Sequence, residues 1–179
     1  MSAHQEMNEF ARWEARFATP DYAFGKEPNY FLKSCQQILP RHGQALAVAD
    51  GEGRNGVWLA EQGLDVVSLD FSPAAQNKAW ALAAERGVKV TFVRADVHVW
   101  DYPQTAFDVV VEIFAQFSPP ARRGTGGPKQ IENLYTRAML EQAFGDFRDV
   151  RVIEEEREMR EGTSHAGMSA VIGLTAIKP

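Results

Sequence analysis

Residues 45–70 of the chain read ALAVADGEGRNGVWLAEQGLDVVSLD. A small apolar run ends in an acid, a glycine-rich turn and a helical pattern follow, and a second apolar run closes on Asp70. Gly51, Gly53 and Gly56 fit the spacing G-x-G-x-x-G, which allows close backbone approach at the start of a helix. Asp70 lies near the spacing of an acid that accepts ribose hydroxyls. The stretch therefore predicts a β-α-β unit that holds a nucleoside, with a plain strand-to-helix turn as the alternative.

Two carboxylates, Asp50 and Glu52, flank the first glycine of this motif. A dinucleotide brings an anionic pyrophosphate to the start of the helix, where it needs bare N–H groups. S-adenosylmethionine instead brings a sulfonium, an ammonium and one carboxylate, so its net charge is positive. The acids therefore favour S-adenosylmethionine, whose carboxylate Arg54 can face. A nicotinamide dinucleotide, and with it a dehydrogenase, is the alternative.

The bulk composition indicates an ordinary globular protein of 179 residues with one core. The net charge is −5 and no long basic run occurs, which argues against nucleic-acid binding as the main role. Cys35 is the single cysteine, so no internal disulfide forms, as is typical of a reducing cytoplasm. Neither a signal peptide nor a run of membrane-spanning length is present in the sequence. We expect a cytoplasmic protein with no membrane partner.

Hydrophobic periodicity and capping residues predict the elements of the rest of the chain. Helices are predicted over residues 8–17, 30–38 and 55–62, and a fourth begins at Pro73 after the cap Ser72 and ends near Gly87. Strands are predicted over residues 45–50, 66–70, 88–94, 106–114, 150–157 and 169–178, and the last two pair as an antiparallel hairpin. The alternation predicts an α/β, Rossmann-like, mostly parallel sheet with helices on both faces and a C-terminal antiparallel hairpin.

In this order the segments resemble a class I S-adenosylmethionine-dependent methyltransferase, and more narrowly the small bacterial tellurite-resistance-type and methyltransferase-domain proteins. The resemblance covers nearly the whole chain. It is carried by WEARF (13–17), YAFGKEPNYFL (22–32), GEGRNGVWLAEQG (51–63), VVSLDFSP (66–73), RADV (94–97), FDVVVEIFAQF (107–117), GTGGP (124–128) and EGTSHAG (161–167). It implies a single domain over residues 1–179, with helices and a flap over 1–44, a cofactor-binding half over 45–123 and a hairpin part over 124–179.

The resemblance also implies S-adenosylmethionine as methyl donor, S-adenosylhomocysteine as product, and a role for each matching position. Gly51 and Gly53 would pass beneath the methionine part, and Asp70 would take the ribose hydroxyls with Phe71 beside the adenine. Asp96 would meet the adenine amino group next to Val97. Ile113 and Phe114 would line the pocket near the sulfonium, and Tyr22 and Gly25 would belong to the flap. The predicted cofactor set is Tyr22, Gly25, Asp50, Gly51, Glu52, Gly53, Arg54, Asn55, Asp70, Phe71, Asp96, Val97 and Ile113.

The sequence gives fewer indications of which residues would bind or activate the methyl acceptor. A compact chain favours a small-molecule acceptor, and no metal-ligand cluster is present in the sequence. Candidates for acid–base work are Glu112 and Gln116 at the pocket mouth, His165 in the loop between the last two strands, and Tyr22 in an aromatic lid. Each has a purely structural alternative. A non-catalytic cofactor-binding protein is the alternative to an enzyme, and the oligomeric state is open.

Two features depart from the family pattern. Most class I enzymes carry an acid two residues before the first glycine, where this chain has Ala49, and Asp50 stands next to the glycine instead. In the family a helix and a fifth strand follow the fourth strand, whereas here Arg123 is joined to Gly124. A parallel crossover needs at least about a dozen residues, so the fifth strand is missing from this sequence. Either the segment exists but is absent from the sequence as recorded, or it is truly deleted. A Cα–Cα distance between Arg123 and Gly124 well above about 3.8 Å would indicate the former.

Overall fold

The computed structural model describes residues 9–104, 106–115, 135–163 and 165–178. The chain divides into two compact units, Met1–Ala115 and Gln116–Pro179. The junction between Arg123 and Gly124 lies outside the described residues. The assignment of one domain to residues 1–179 stays a prediction.

The first unit contains a parallel sheet of four described strands in the order β3-β2-β1-β4. These are β1 (Gln44–Val48), β2 (Asp65–Asp70), β3 (Val90–Arg94) and β4 (Val109–Glu112). Val48 at the end of β1 lies opposite Leu69 of β2 and Glu112 of β4. Because the strands are parallel and in this register, their carboxyl ends lie along one edge, where α/β proteins place their ligands.

The helices of the first unit are α1 (Glu9–Phe17), α2 (Tyr30–Ser34), α3 (Arg54–Glu61) and α4 (Pro73–Arg86). The predicted signals at the ends of α4 are confirmed. Ser72 caps the helix by accepting from the N–H of Ala75, Pro73 occupies its first position, and Gly87 ends it with a φ of 68°. Asn29 caps α2 in the same way, since its side chain accepts from the N–H groups of two residues of that helix.

The predicted helix over residues 30–38 is wrong in its second half. The α-helix ends at Ser34, and a short 3₁₀ turn follows over Gln36–Ile38. The hydroxyl of Ser34 donates to the carbonyl of Phe31 at 2.7 Å, and the N–H of Cys35 is shared between two carbonyls. Such side-chain bonds compete with the helical ladder, and a tightened last turn is a common way for a helix to end.

The second unit contains α5 (Arg137–Ala143), which the sequence analysis did not predict, and a hairpin of β5 (Arg148–Glu161) and β6 (His165–Ile177). The antiparallel hairpin is confirmed, and its strands are longer than predicted. Glu161 pairs with His165 across the strands, so placing His165 in a connecting loop was wrong. The backbone ladder continues through charged residues whose side chains give no apolar alternation for sequence analysis to detect.

The core of the first unit lies between the sheet and its helices. Its fully buried large side chains include Leu46, Leu59, Leu69 and Leu82. Trp58 and Leu64 pack with strand residues Ala45, Val66 and Val111 in one cluster. This packing holds α3 against the strands, and it thereby fixes the turn that connects β1 to α3. The predicted fold class, a mostly parallel sheet with helices and a C-terminal antiparallel hairpin, is confirmed.

Candidate cofactor-binding site

The chain passes from β1 to α3 through a glycine turn, residues 49–53. Gly51 and Gly53 have φ angles of 56° and 85°, in the left-handed region that glycine adopts at no steric cost. Ala49 also has a positive φ, 49°, which is uncommon for a residue with a side chain. Gly53 is the N-cap of α3 and offers no side chain to it. The turn therefore depends on backbone shape rather than on a capping side chain.

The sides on which the glycines lack a Cβ atom are filled by protein groups. A Cβ atom on Gly51 would lie 3.2 Å from the ring of Phe17, and one on Gly53 would lie 2.6 Å from the Cβ of Ala79. At Gly56 it would collide with the carboxylate of Asp50. The glycine motif thus allows α1, α4 and Asp50 to approach the turn closely, in addition to any ligand.

Asp50 is turned into the protein. Its carboxylate accepts from the hydroxyl of Ser68 at 2.8 Å and from the N–H of Gly56 at 3.2 Å. Burial raises the pKa of Asp50 to about 7, although the hydrogen bonds from Ser68 and Gly56 oppose this shift. Asp50 therefore connects the turn to β2 and to the first turn of α3.

Glu52 is buried and paired with Lys78 of α4. Its Oε1 lies 2.6 Å from the Lys78 ammonium, and the Glu52 side chain is 2% exposed. Its Oε2 has no hydrogen-bond partner among the described residues. The same ammonium donates to the carbonyl of Asp21 at 2.6 Å. One lysine thus joins the glycine turn to the segment that follows α1.

That segment, the N-terminal strap (residues 18–29), is fastened along α3 and α4. Arg54 donates to the carbonyl of Phe24 at 3.0 Å, and its guanidinium lies 5.8 Å from the centre of the Phe24 ring. Asn55 accepts from the N–H of Asn29 at 2.9 Å. Two of the predicted cofactor residues, Arg54 and Asn55, therefore hold the strap in the described conformation.

Tyr22 and Gly25 belong to the strap, and Tyr22 faces the helices. It packs against the cluster of Val57, Leu82 and Ala83, and its hydroxyl donates to the carbonyl of Lys78 at 2.9 Å. Burial raises the pKa of Tyr22. Gly25 has a φ of 74° and closes a turn by donating to the carbonyl of Tyr22. The described contacts of Tyr22 are with α3 and α4. The place of Tyr22 and Gly25 in a flap over a cofactor stays a prediction.

Asp70 closes β2 next to the glycine turn. One of its carboxylate oxygens accepts from the N–H of Gly51 at 2.8 Å, and the other accepts from the N–H of Ser72 at 2.8 Å. Burial raises the pKa of Asp70, while these N–H groups lower it. The structure thus brings Asp70 and the glycine turn together, as the β-α-β motif predicts.

Helix α1 covers this end of β2. Glu14 accepts from the hydroxyl of Ser72 and from the N–H of Ala74 at 3.2 Å, which caps α4 from outside. The ring of Phe10 stands edge-on to Phe71 with 5.5 Å between centroids. The sequence analysis assigned no role to Glu14. The signal available was the exposed start of α4 after Ser72, because a helix N-terminus attracts an acidic side chain.

The ends of β3 and β4 carry a second, more exposed group. Asp96 accepts from the N–H of His98 at 2.9 Å and from its ring at 2.8 Å. These bonds lower the pKa of Asp96. Tyr102 donates to the carbonyl of Val97 at 3.0 Å, and its pKa is raised by burial and then by the charges of Glu112 and Asp96. Asp96, Val97 and Glu112 are therefore neighbours around Tyr102.

The remaining predicted site residues lie in different parts of the chain. Ile113 packs against the cluster that contains Trp58, and Phe114 is exposed with a φ of 55°. Gln116 lies outside the described residues. His165 is a residue of β6 in the second unit, and only its backbone is described. Among the described acid–base candidates, Glu112 lies at the strand ends, and Tyr22 does not.

The arrangement changes the electrostatic argument against a dinucleotide. The charge of Glu52 is matched by Lys78, and Asp50 faces Ser68 and Gly56. The repulsion of a pyrophosphate by two free acids is therefore weaker than the sequence suggested. Binding of a pyrophosphate is opposed for another reason. The N–H of Gly56, in the first turn of α3, is already bonded to Asp50 and is not a bare donor for a phosphate.

No described helix is long and apolar enough to cross a membrane. No group of three or more His, Cys, Asp or Glu side chains stands close enough to hold a metal ion, again within the residues that the structure describes.

Comparisons with known proteins point to one family. Residues 45–125 match the model of a family described as a methyltransferase domain. A curated relative, the 2-heptyl-1-hydroxyquinolin-4(1H)-one methyltransferase of Mycobacteroides abscessus, is 31% identical over 115 residues, which are 64% of this chain and 50% of the relative. The chain thus spans about half the length of the curated relative that it matches.

Solved structures share the fold at low sequence identity. TehB from Haemophilus influenzae aligns with a TM-score of 0.63 at 14% identity, over 95% of this chain and 67% of that one. A SAM-dependent methyltransferase from Geobacter sulfurreducens, in complex with S-adenosyl-L-homocysteine, aligns with a TM-score of 0.56 at 16% identity, over 80% and 74%. These similarities support the fold of the first unit. The tellurite-resistance subtype stays a prediction.

Proposed function

We propose that this chain is a class I S-adenosylmethionine-dependent methyltransferase and that it transfers a methyl group to a small-molecule acceptor. One structural observation carries the proposal. Asp70 ends β2 and is hydrogen bonded at 2.8 Å to the N–H of Gly51. A ribose-binding acid and a glycine turn are thereby joined at the carboxyl edge of the sheet, where this fold holds its nucleoside.

The described residues fit the cofactor at two further points. Each carboxylate oxygen of Asp70 has capacity for a second hydrogen bond, so ribose hydroxyls can donate to it. Glu52 carries a buried oxygen without a partner among the described residues, which suits a donor of positive charge. Asp70 is 4% exposed beside α1, so we expect Phe10 and Glu14 to shift when a ribose is taken up.

The chemistry demands little of the protein beyond alignment. When bound, S-adenosylmethionine supplies a methyl carbon that the acceptor's lone pair attacks, while the electrons of the broken C–S bond return to sulfur. The chain's residues then have to orient the donor and keep water out. Phe17 covers the glycine turn on the side of α1, and Trp13 stacks on Phe17 at 5.5 Å between centroids. We assign Glu112, exposed at the end of β4, to the acceptor side.

The curated relative, a 2-heptyl-1-hydroxyquinolin-4(1H)-one methyltransferase by name, supports a small-molecule acceptor. The first test is calorimetry of the full chain with S-adenosylmethionine and S-adenosylhomocysteine, and we expect binding of both. Turnover is then measured with 2-heptyl-1-hydroxyquinolin-4(1H)-one and with panels of phenols, thiols, amines and metalloid oxyanions. Binding of neither compound would reject the proposal. Binding without turnover of any acceptor would favour a non-catalytic cofactor-binding protein, and quenching of tryptophan fluorescence by a dinucleotide alone would favour a dehydrogenase.

A further inference from the structure

The loop that follows β3 is folded around Asp96. The backbone carbonyl of Asp96 accepts from the N–H groups of Val99 and Trp100 at 3.2 and 3.0 Å. On the side chain, Oδ1 accepts from the N–H of His98 at 2.9 Å and lies 2.8 Å from Nδ1 of the His98 ring. In the described part of the chain no group donates to the other oxygen, Oδ2. The loop therefore holds the carboxylate by one oxygen and leaves the second for another partner.

The Asp96 carboxylate is accessible and charged. The side chain of Asp96 is 52% exposed and that of His98 is 41% exposed, so a ligand can reach the pair from solvent. The two hydrogen bonds from His98 lower the pKa of Asp96, so the carboxylate is ionised at neutral pH. An ionised carboxylate only accepts hydrogen bonds, and Oδ2 is thus a position for an N–H or O–H donor.

The contact with the ring defines the part that His98 plays. Because the ionised carboxylate cannot donate, the ring nitrogen that faces it, Nδ1, carries a proton. His98 therefore brings two donors to the same oxygen, one from its backbone and one from its side chain. Together they fix the plane of the carboxylate, and with it the direction in which Oδ2 points.

The place of Asp96 in the sheet indicates which donor would reach Oδ2. Asp96 follows the end of β3 by two residues, and β3 pairs with β2 up to the partners Asp70 and Arg94. In the proposed function Asp70 binds the ribose, and the glycine turn follows β1, on the other side of β2. The base is then left the side of β3, where Asp96 stands. A carboxylate there accepts from an amino group and repels a carbonyl oxygen at the same position.

We propose that His98 is a positioning residue that makes the site selective for a nucleoside whose base carries an amino group. It acts through Asp96, since His98 holds Oδ1 while Oδ2 accepts from the amino group. This assignment rests on the proposed function, and it adds to that function the residue that sharpens the choice of adenine over hypoxanthine.

The test compares S-adenosylhomocysteine with S-inosylhomocysteine, in which a carbonyl replaces the amino group of the base. Calorimetry gives both affinities for the wild type and for His98→Ala. We expect the wild type to prefer the adenine compound about ten- to a hundredfold, as a hydrogen bond to a charged group predicts. H98A loses the ring donor, and the freed carboxylate should reduce this preference about three- to tenfold. A merely structural role would weaken both ligands together and leave the preference unchanged.

His98→Asn is the conservative variant. Nδ2 of asparagine is as many bonds from Cα as Nδ1 of histidine, so it can donate to the same oxygen. H98N should keep the wild-type preference to within about twofold. The matched control is His42→Ala, which removes an exposed histidine before β1 and should keep the preference as well. Thermal unfolding of each variant reports folding.

Asp96→Asn provides a second readout. The two donors of His98 should draw the amide oxygen towards them, so that the NH₂ group faces the base and the preference reverses in favour of the inosine compound. An H98A protein with the wild-type preference, or a D96N protein that still prefers the adenine compound, would overturn the assignment. Equal binding of both compounds by the wild type would overturn it too, whereas binding of neither would reject the proposed function.

Discussion

The hydroxyl of Ser68, in β2, donates to the carboxylate of Asp50 at 2.8 Å, inside the protein. The bond links β2 to the glycine turn that follows the neighbouring strand, β1. The same carboxylate accepts from the N–H of Gly56, so it also holds the first turn of α3. Because the Asp50 carboxylate is bonded to both elements inside the protein, we expect its protonation state to change the free energy of unfolding.

We predict that Asp50 makes the protein less stable as the pH rises from about 4 to about 7. Its pKa is raised from 3.8 to about 7 by burial, so in this window the folded state keeps a proton that the unfolded state has lost. A shift of about three units corresponds to a loss of about 4 kcal/mol across the window, and the contribution is constant above it.

The measurement is the free energy of unfolding in urea for the wild type and Asp50→Asn at several pH values. The wild type should lose stability relative to D50N as the pH increases. Ser68→Ala removes a donor that favours the ionised form, so it should extend the window upwards. A difference between wild type and D50N that does not vary with pH would contradict the prediction.

We predict that Gly53→Ala is among the most damaging single substitutions in the glycine turn. The new Cβ atom would lie 2.6 Å from that of Ala79, at a φ of 85°. Backbone strain and overpacking together should cost about 3 kcal/mol or more. Gly87→Ala is the matched control, with a φ of 68° and nothing within 4 Å of the new atom, and it should cost about 1 kcal/mol.

Chemical denaturation of both variants measures the difference. The double variant G53A/A79G removes one of the two colliding methyl groups, and it should recover part of the loss. If G53A proves no more destabilising than G87A, the close packing of α4 against the turn is not as described.

We predict that Glu14 stabilises the packing of α1 against the start of α4. Its carboxylate accepts from Ser72 and from the N–H of Ala74 at the start of α4. Glu14→Ala leaves these donors unsatisfied and should cost about 1–2 kcal/mol, as loss of a helix cap does. Glu14→Gln keeps an acceptor and should cost less than E14A.

Glu9, which also lies in α1, provides the control for Glu14. Glu9 pairs with Arg12 at 3.9 Å on the surface, and Glu9→Ala should change stability by less than about 0.5 kcal/mol. Urea midpoints of the three variants rank the effects. Equal midpoints for E14A and E9A would show that the Glu14 contacts do not hold α1.

Glu112→Gln is predicted to separate turnover from cofactor binding. With an acceptor from the panel described above, we expect kcat/KM to fall at least tenfold, since an exposed carboxylate at the strand end can orient the acceptor or take its proton. Its affinity for S-adenosylhomocysteine should stay within about twofold of the wild type. Glu61→Gln serves as the control for both readouts, and full turnover in E112Q would remove Glu112 from the acceptor side.

Local chemistry explains what the sequence predicted well. The cap Ser72, the first-position Pro73 and the terminating Gly87 define α4, because each acts within a few residues of its own position. The same holds for Asn29 and α2. The β-α-β pattern also predicted that Asp70 lies near the glycine turn, because such a unit places the carboxyl ends of its two parallel strands side by side.

Side-chain direction explains what the sequence did not predict. Nothing in the motif indicates that Asp50 turns towards Ser68, because that choice depends on a positive φ at Ala49 and on a partner in another strand. The pairing of Glu52 with Lys78 joins residues 26 positions apart. Charged side chains along β5 likewise concealed its full length of 14 residues, of which the sequence predicted only residues 150–157, since its pairing with β6 comes from the backbone.

The N-terminal strap has a practical consequence for anyone who shortens this protein. The family match begins at residue 45, and a recombinant fragment cut there would lack every group that the strap and α1 supply. Arg54 would lose the carbonyl of Phe24, Asn55 the N–H of Asn29, and Gly51 the ring of Phe17. Such a truncation would expose the interior of the glycine turn to solvent, so domain boundaries drawn from homology alone would give a fragment prone to aggregate.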